Sequence, residues 1–426
     1  MSEIMKNTSV VPDGWSIVSL GDVLQYEQPY YYTVTSDDYN DIAGTPVLTA
    51  GKSFLLGYTT EVENVYNNLP VIIFDDFTTD SKFVDFPFKV KSSAMKFLKP
   101  KEENVIDLRL IFEFIQKLKI SVANADHKRR WISEFSKIKI LIPSYPEQQH
   151  IAKILSTADS VIEKTQAAIA KYKAIKQGML QDLFTRGIDL NTNKLRPRYQ
   201  DAPELYKESK LGMIPWEWDE KIFGEEVDLI HGHQFRDYDF TEFGIPVVKI
   251  GQVKPDNVDL SSCSFVAYGR EDEFQNEIIR NGDVLMALTG ATLGKACLVK
   301  GLNGIVLQNY RVGRFEPIIK QNDIDKEFLY YLLIAGDLLT QIFNKVNTGA
   351  QGNIGKADFE KATFKKPPFT EQQEIAKRLR AIDNKLQTEQ TYLQKMQSLK
   401  KGLMEDLLCG KKQVKVTEEV LTQNGN

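Results

Sequence analysis

Residues Pro146–Leu155 read "PEQQHIAKIL", and residues Thr370–Leu379 read "TEQQEIAKRL". Laid over one another without gaps, Glu147, Gln148, Gln149, Ile151, Ala152 and Lys153 meet Glu371, Gln372, Gln373, Ile375, Ala376 and Lys377. In the same register Asp159 meets Asp383, Lys176 meets Lys400, Gly178 meets Gly402 and Leu183 meets Leu407. The chain carries one segment twice.

The likeness extends upstream of each copy. "PDGWSIVSLGDVL" from Pro12 parallels "PWEWDEKIFGEEVDLI" from Pro215, and "GTPVLTAG" from Gly44 parallels "GIPVVKIG" from Gly244. "VIIFDDFTTDSKFV" from Val71 aligns with "DVLMALTGATLGKACLV" from Asp283, which puts Lys82 over Lys295. "FSKIKILIPSYPEQQ" and "FEKATFKKPPFTEQQ" close the two regions. A period of about half the chain is a duplication rather than a solenoid. The upstream regions have diverged far more than the Glu-Gln-Gln segments.

Glu147–Thr185 contains no proline and one glycine, Gly178. Ile151, Ile154, Ala158, Val161, Thr165, Ala168, Tyr172, Ile175 and Met179 follow the alternating spacing of a heptad seam. The second copy gives Ile375, Ile382, Leu386, Leu393, Met396, Leu399 and Leu403, interrupted by Arg378, Lys385 and Glu389. Pro146 and Thr370 stand at the helix starts, where proline and a capping threonine are favoured. About 39 helical residues would reach roughly 60 Å, and a lone helix of this kind must cover its seam.

Each copy is the other's nearest candidate. The expected fold is therefore α+β: two mixed α/β domains separated by an antiparallel two-helix coiled coil, as a pseudo-two-fold internal repeat. The expected boundaries are 1–145 and 215–369 for the mixed domains, and 146–186 and 370–411 for the helices. A linker covers 187–214 and a tail 412–426. Short β-branched and aromatic runs between Gly, Asp and Asn turns supply the strands of the mixed domains.

At 42% hydrophobic and 26% charged the composition is that of a soluble globular protein. No apolar run approaches the ~18 residues needed to span a bilayer, and "MSEIMKNTSVVPDGW" lacks the pattern of a secretory leader. The expected compartment is the cytoplasm. Cys263, Cys297 and Cys409 form no CxxC pair, so reduced thiols are expected rather than disulfides or zinc. His231 and His233 have no carboxylate or cysteine set at zinc spacing. "GATLGKA" from Gly290 is too short for a phosphate-binding loop, and no methyltransferase or nuclease motif is found. These absences point to a binding chain that is not an enzyme. The net charge of −4 decides nothing, because phosphate binding depends on local patches.

Such patches occur in both mixed domains. "KVKSSAMKFLKPK" from Lys89 carries five lysines and no acid, and "HKRRW" starts at His127. The second domain has "HGHQFR" from His231, "TGATLGK" from Thr289, "QNYRVGR" from Gln308 and "NTGAQGN" from Asn347. Arg and Lys suit phosphate and guanine, Asn and Gln suit adenine, and Ser and Thr serve either.

Two divergent domains alternating with two similar helices, each opening on "PEQQHIA" or "TEQQEIA", resemble the DNA-specificity subunit of type I restriction-modification systems. "APELYKESKLGMIP" before Trp216 is similar to that family's inter-domain connection, and "NGDVLMALTGATLGKACLV" to its target-recognition domains. The resemblance covers nearly the whole chain. The second repeat departs from it in lacking the proline before Glu371, and the first in the acidic "FDDFTTDSK".

The resemblance implies that each domain reads one half of a bipartite double-stranded DNA target. The helices would act as a spacer ruler and as the dock for two modification (methyltransferase) subunits, with restriction (motor/nuclease) subunits joining them. S-adenosylmethionine, ATP and Mg2+ would sit on those partners, and this chain would hold no cofactor or metal. Expected DNA contacts in the first domain are Thr79, Ser81, Lys82, Lys91, Lys128, Arg129 and Arg130. In the second they are Arg236, Thr289, Thr292, Lys295, Gln308, Asn309, Arg311, Gln351 and Asn353. A coiled-coil scaffold whose end domains bind protein, or a stand-alone DNA-binding regulator, are the competing readings.

Overall fold

The structure is a computed structural model that describes residues 11–49, 53–118, 129–318, 323–345 and 353–414. The chain divides into two compact units, one of residues 1–167 with 390–426 and the other of residues 168–389.

In the first unit β1 (Ser16–Ser19) pairs with β9 (Lys139–Ile142). The strands β2 (Leu24–Glu27), β5 (Val71–Asp75), β6 (Ser81–Val84) and β8 (Met95–Pro100) form an antiparallel sheet in the order β2-β8-β5-β6. A small sheet joins β4 (Leu55–Thr59), β3 (Thr45–Leu48) and β7 (Lys89–Val90), with β3 parallel to β7. Every residue of β5, "VIIFD", is buried because both faces are covered. Ile72 and Phe74 face Leu110, Ile111 and Phe114 of the helix Leu108–Lys117. Val71 and Ile73 face the small sheet through Leu48, Phe88 and Val90.

The second unit carries two hairpins ahead of its sheets, β10 (Ile188–Asp189) with β11 (Lys194–Leu195) and β12 (Tyr206–Ser209) with β13 (Gly212–Pro215). It then repeats the topology of the first. β14 (Asp219–Ile222) pairs with β23 (Thr363–Lys366). β15 (Val227–His231), β22 (Val312–Pro317), β19 (Val284–Ala287) and β20 (Ala296–Leu298) lie in that order in the larger sheet. β16 (Phe240–Thr241), β18 (Ser264–Val266), β17 (Ile245–Val248) and β21 (Leu307–Gln308) make the smaller one, again with one parallel pair, β17 and β21. The helix Lys326–Ile334 covers the larger sheet. Asp107 and Asp325 cap the two equivalent helices by accepting from the backbone N–H three residues on.

The pairing corrects one alignment. The Asp75 N–H donates to the Asp80 carbonyl at the start of the β5–β6 turn, as Ala287 donates to Lys295 in the β19–β20 turn. Lys295 is therefore the counterpart of Asp80, not of Lys82. The turns differ in length, 76–79 against 288–294, which an ungapped overlay cannot register. Thr79 (φ 63°) and Gly294 (φ 80°) occupy the same left-handed corner. Glycine adopts it without strain, whereas a β-branched residue does not. A Cβ on Gly294 would lie 3.3 Å from Phe343 as well. Gly294→Ala should lower the stability of the second unit by about 1–2 kcal/mol in urea titrations.

The long helices run Tyr145–Thr185 and Phe369–Leu407, so Thr370 lies inside the first turn rather than capping it. Each unit contains the start of one helix and the end of the other. In the first, Ile151, Ala152 and Leu155 share a core with Leu407 and Leu408. In the second, Leu180, Leu183 and Phe184 share one with Ile375, Ala376 and Leu379.

The repeated Asp and Lys meet across this packing. Lys400 Nζ lies 2.5 Å from Asp159 Oδ1 in the first unit, and Lys176 Nζ lies 2.6 Å from Asp383 Oδ1 in the second. This displaces the expected seam: Ile175 and its counterpart Leu399 are exposed, while the next lysine turns inward.

Candidate nucleic-acid interface

The Glu-Gln-Gln segments explain how each unit is mounted on its helices. Gln148 donates to the Val105 and Pro143 carbonyls, both at 3.0 Å, and accepts from the Asp107 N–H at 2.8 Å. Gln372 makes the same three bonds, to Asp323 (3.0 Å), to Pro367 (2.9 Å) and from Asp325 (2.9 Å). Only a side chain with both a carbonyl and an NH2 can hold one acceptor and two donor bonds here. The amide ties the cap of the sheet-covering helix to the first turn of the long helix.

Glu371 is fully buried and collects four donors. Its carboxylate accepts from both guanidinium NH2 groups of Arg196 (2.6 and 3.0 Å), the Ile188 N–H (2.7 Å) and the Trp218 indole (3.0 Å). The linker therefore sends Arg196 into the joint. In the first unit Glu147 accepts from the Val414 N–H at 3.1 Å, and the buried indole N–H of Trp15 has no hydrogen-bond partner among the described residues. Sequence reading missed Arg196 because it lies in a stretch with no counterpart in the other half.

In the second unit the polar clusters converge. The Leu288 N–H donates to the Arg311 carbonyl, and the Ile354 N–H donates to the Leu288 carbonyl. Thr289 bridges Asn353, and His233 bridges Asn309. Thr292 Oγ1 donates to the Ile250 carbonyl at 3.3 Å. Segments 231–236, 289–295, 308–311 and residue 353 thus form one stitched surface at the end of the larger sheet.

Arg236, Lys295, Arg311 and Asn353 are exposed there, with Thr289 and Thr292 half-buried. His231, His233 and Gln234 are exposed beside them and join the candidates. Gln308 and Asn309 are buried. Gln308 donates to the Ile230 and Val312 carbonyls, both at 2.8 Å, and so holds strands together. Gln351 lies outside the described residues.

The first unit uses its loop differently. Asp76, the counterpart of Leu288, accepts from the Trp131 N–H at 2.9 Å and faces Lys96 Nζ at 3.2 Å, with both side chains buried. Arg130 is largely buried and pairs with Glu134 at 3.3 Å. Thr79 and Ser81 are buried, and Ser81 Oγ accepts from Gln116 at 2.8 Å. Arg129 and Lys82 are exposed, whereas Lys91 is engaged by Asp37. Lys128 lies outside the described residues.

The five-lysine run is not a single basic patch, because part of it lies in buried strand: both residues of β7 and the first four of β8 are covered. Lys89 and Lys96 are buried, and Lys89 pairs with Glu61 at 3.0 Å. That bond, then the Thr35 hydroxyl, holds the Glu61 carboxyl at about 2, below its ordinary 4.5. A carboxyl depressed on folding stabilises fully above 4.5 and loses that contribution as pH falls toward 2. The thermal midpoint of the first unit should therefore drop across this window. Glu61→Gln should lower the midpoint at neutral pH and flatten the acid limb.

No group of three or more metal-ligating side chains and no helix apolar enough to cross a membrane occurs among the described residues. The MjaVIII type I restriction enzyme specificity subunit of Methanocaldococcus jannaschii is 28% identical over 417 residues, 95% of this chain and 94% of that one. The EcoR124I/EcoR124II specificity subunit of Escherichia coli is 42% identical over 176 residues, 41% of this chain and 43% of that one. The crystal structure of a type I restriction-modification S subunit from M. genitalium superposes with a TM-score of 0.64 at 14% identity, over 98% of this chain and all of that one, and so shares its fold. A family model described as the type I restriction modification DNA specificity domain matches residues 12–172 and again 220–398. One domain matched twice, across most of the chain, fits the duplication found in sequence and topology, and the chain belongs to the type I restriction-modification DNA specificity family.

Proposed function

We propose that each unit reads one half of a bipartite double-stranded DNA target, and that the chain itself performs no covalent chemistry. The observation that carries this reading is the pairing of a constant mount with a variable reader. Gln148 and Gln372 make the same three bonds. The loops on those mounts differ, Asp76 and Lys96 in one standing where the other has Leu288 and Gly313. Unlike readers on like mounts suit an asymmetric site.

The recognition domains span 1–145 and 215–369, the helices 146–186 and 370–411, the linker 187–214 and the tail 412–426. The helices form an antiparallel coiled coil with pseudo-two-fold symmetry that fixes the spacer between half-sites. In support, equivalent lysine–aspartate pairs occur in each unit. Two modification subunits dock on this coil, where Ile175 and Leu399 are exposed at equivalent positions, and restriction subunits join them. S-adenosylmethionine, ATP and Mg2+ are held by those partners, and the assembly works in the cytoplasm. Exposed Lys82, Arg129, Arg236, Lys295 and Arg311 contact DNA, with Lys128 and Gln351 in the adjoining segments.

A salt titration of DNA binding by the complex with its modification subunit tests this. Phosphate contacts make the logarithm of affinity fall steeply and linearly with the logarithm of salt. A flat response would favour a protein-binding scaffold. Specific binding by the chain alone would favour a stand-alone regulator.

A further inference from the structure

The six most exposed large apolar side chains among the described residues are Ile42, Tyr238, Val62, Tyr31, Phe243 and Tyr268, between 72% and 90% exposed. They fall three to a unit, at the same three places. Tyr31 and Tyr238 are the middle residues of the single turns Tyr30–Tyr32 and Asp237–Asp239 that precede the smaller sheets. Ile42 and Phe243 stand just before Gly44 and Gly244, where a Cβ would strike the carbonyls of Thr59 and Val266. Val62 and Tyr268 follow those carbonyls by three and two residues.

Local bonds draw the three places together. The Glu61 carboxylate accepts from the Thr35 and Ser36 N–H groups at 2.9 and 3.1 Å. Arg270 pairs with Asp239 at 3.3 Å, and Thr241 Oγ1 donates to the Phe243 carbonyl at 2.8 Å. Single exposed apolar residues need no explanation. Their recurrence at matched places in two divergent units does.

The surrounding charge says what they meet. Residues 28–44 contain Asp37, Asp38 and Asp41 and no Lys or Arg. In the second unit Asp237, Glu242, Asp272 and Glu273 are exposed around the tips and outnumber the two arginines there, Arg236 and Arg270. An acidic rim repels phosphate and attracts a basic protein surface. We propose that these tips form a docking face for a protein partner, one copy per unit, whose apolar recess is rimmed by Lys and Arg. Under the proposed function, on which this rests, that partner is the modification subunit, held by the tips as well as by the helices.

The test is native mass spectrometry of the full chain with its modification subunit at sub-micromolar concentration. The unaltered chain should carry two copies. Tyr238→Ser with Phe243→Ser and Tyr268→Ser should weaken one of the two sites at least tenfold and leave one copy, with the thermal midpoint unchanged because the side chains are exposed. Asp237→Lys with Glu242→Lys keeps the tips and reverses the rim. It should also weaken the partner, whereas a DNA contact would tighten. Two copies at full affinity in both variants overturn the docking face alone, and a change of target bases with partner binding intact overturns it in favour of DNA. An unaltered chain that binds no modification subunit overturns the proposed function and the docking face together.

Discussion

Glu371→Ala will destabilise the second unit by about 3–5 kcal/mol, the cost of breaking a buried ion pair from one side. The carboxylate is fully buried and answers Arg196, Trp218 and the Ile188 N–H at once. Removing it strands the Arg196 guanidinium, itself 6% exposed. What remains to Arg196 is the Arg186 carbonyl at 3.2 Å and the exposed Glu217 at 3.4 Å, which is weak compensation. Urea titration with tryptophan fluorescence would read the loss, since Trp218 reports on the joint directly. Replacing both charges, Glu371→Leu with Arg196→Met, should recover much of it, because no uncompensated charge is then buried. Glu147→Ala in the first unit should cost about 1 kcal/mol, the worth of a single hydrogen bond. Equal and mild effects of Glu371→Ala and Glu147→Ala would contradict this account of the joints.

Lys295→Glu combined with Arg311→Glu will lower the affinity of the assembled complex for its target by at least roughly 100-fold near 0.1 M salt. It will also flatten the salt dependence by about two units of slope, close to one for each lost phosphate contact. Both side chains are exposed, and their backbone carbonyls accept from Leu288 and its neighbour Ala287. They therefore act on one short stretch of ligand. Neither contributes to a buried core, so the thermal midpoint should hold. Unchanged affinity and slope would remove this surface from the interface.

The repeat and its helices were legible because the side chains that mount the units are short-range and identical. Gln148 and Gln372 must each meet one backbone donor and two backbone carbonyls close to the helix start, which leaves little room for other residue types. Asp159 with Lys400 and Asp383 with Lys176 recur for the same reason. What did not show were partners supplied from divergent stretches. Arg196 comes from the linker, and Lys96 looked like one more basic residue in a lysine-rich run. Its strand turns it inward onto Asp76, a pairing with no trace in the second half. The seam misled at Ile175 and Leu399, because hydrophobic spacing does not register that a lysine beside each would be drawn in by a carboxylate. Turn length displaced Lys295 from Lys82, since a loop can grow without disturbing the strands it joins. Gln308 shows that a polar residue in a basic cluster can serve the fold instead of the ligand.

The central claim is that two unlike readers on one mount recognise two half-sites at a fixed separation. Mapping of methylated bases across the genome of a host expressing this chain with its modification subunit tests it directly. The account predicts one bipartite motif, with two specified half-sites and a non-specific gap of constant length. A contiguous motif, a gap of variable length or no motif would contradict it.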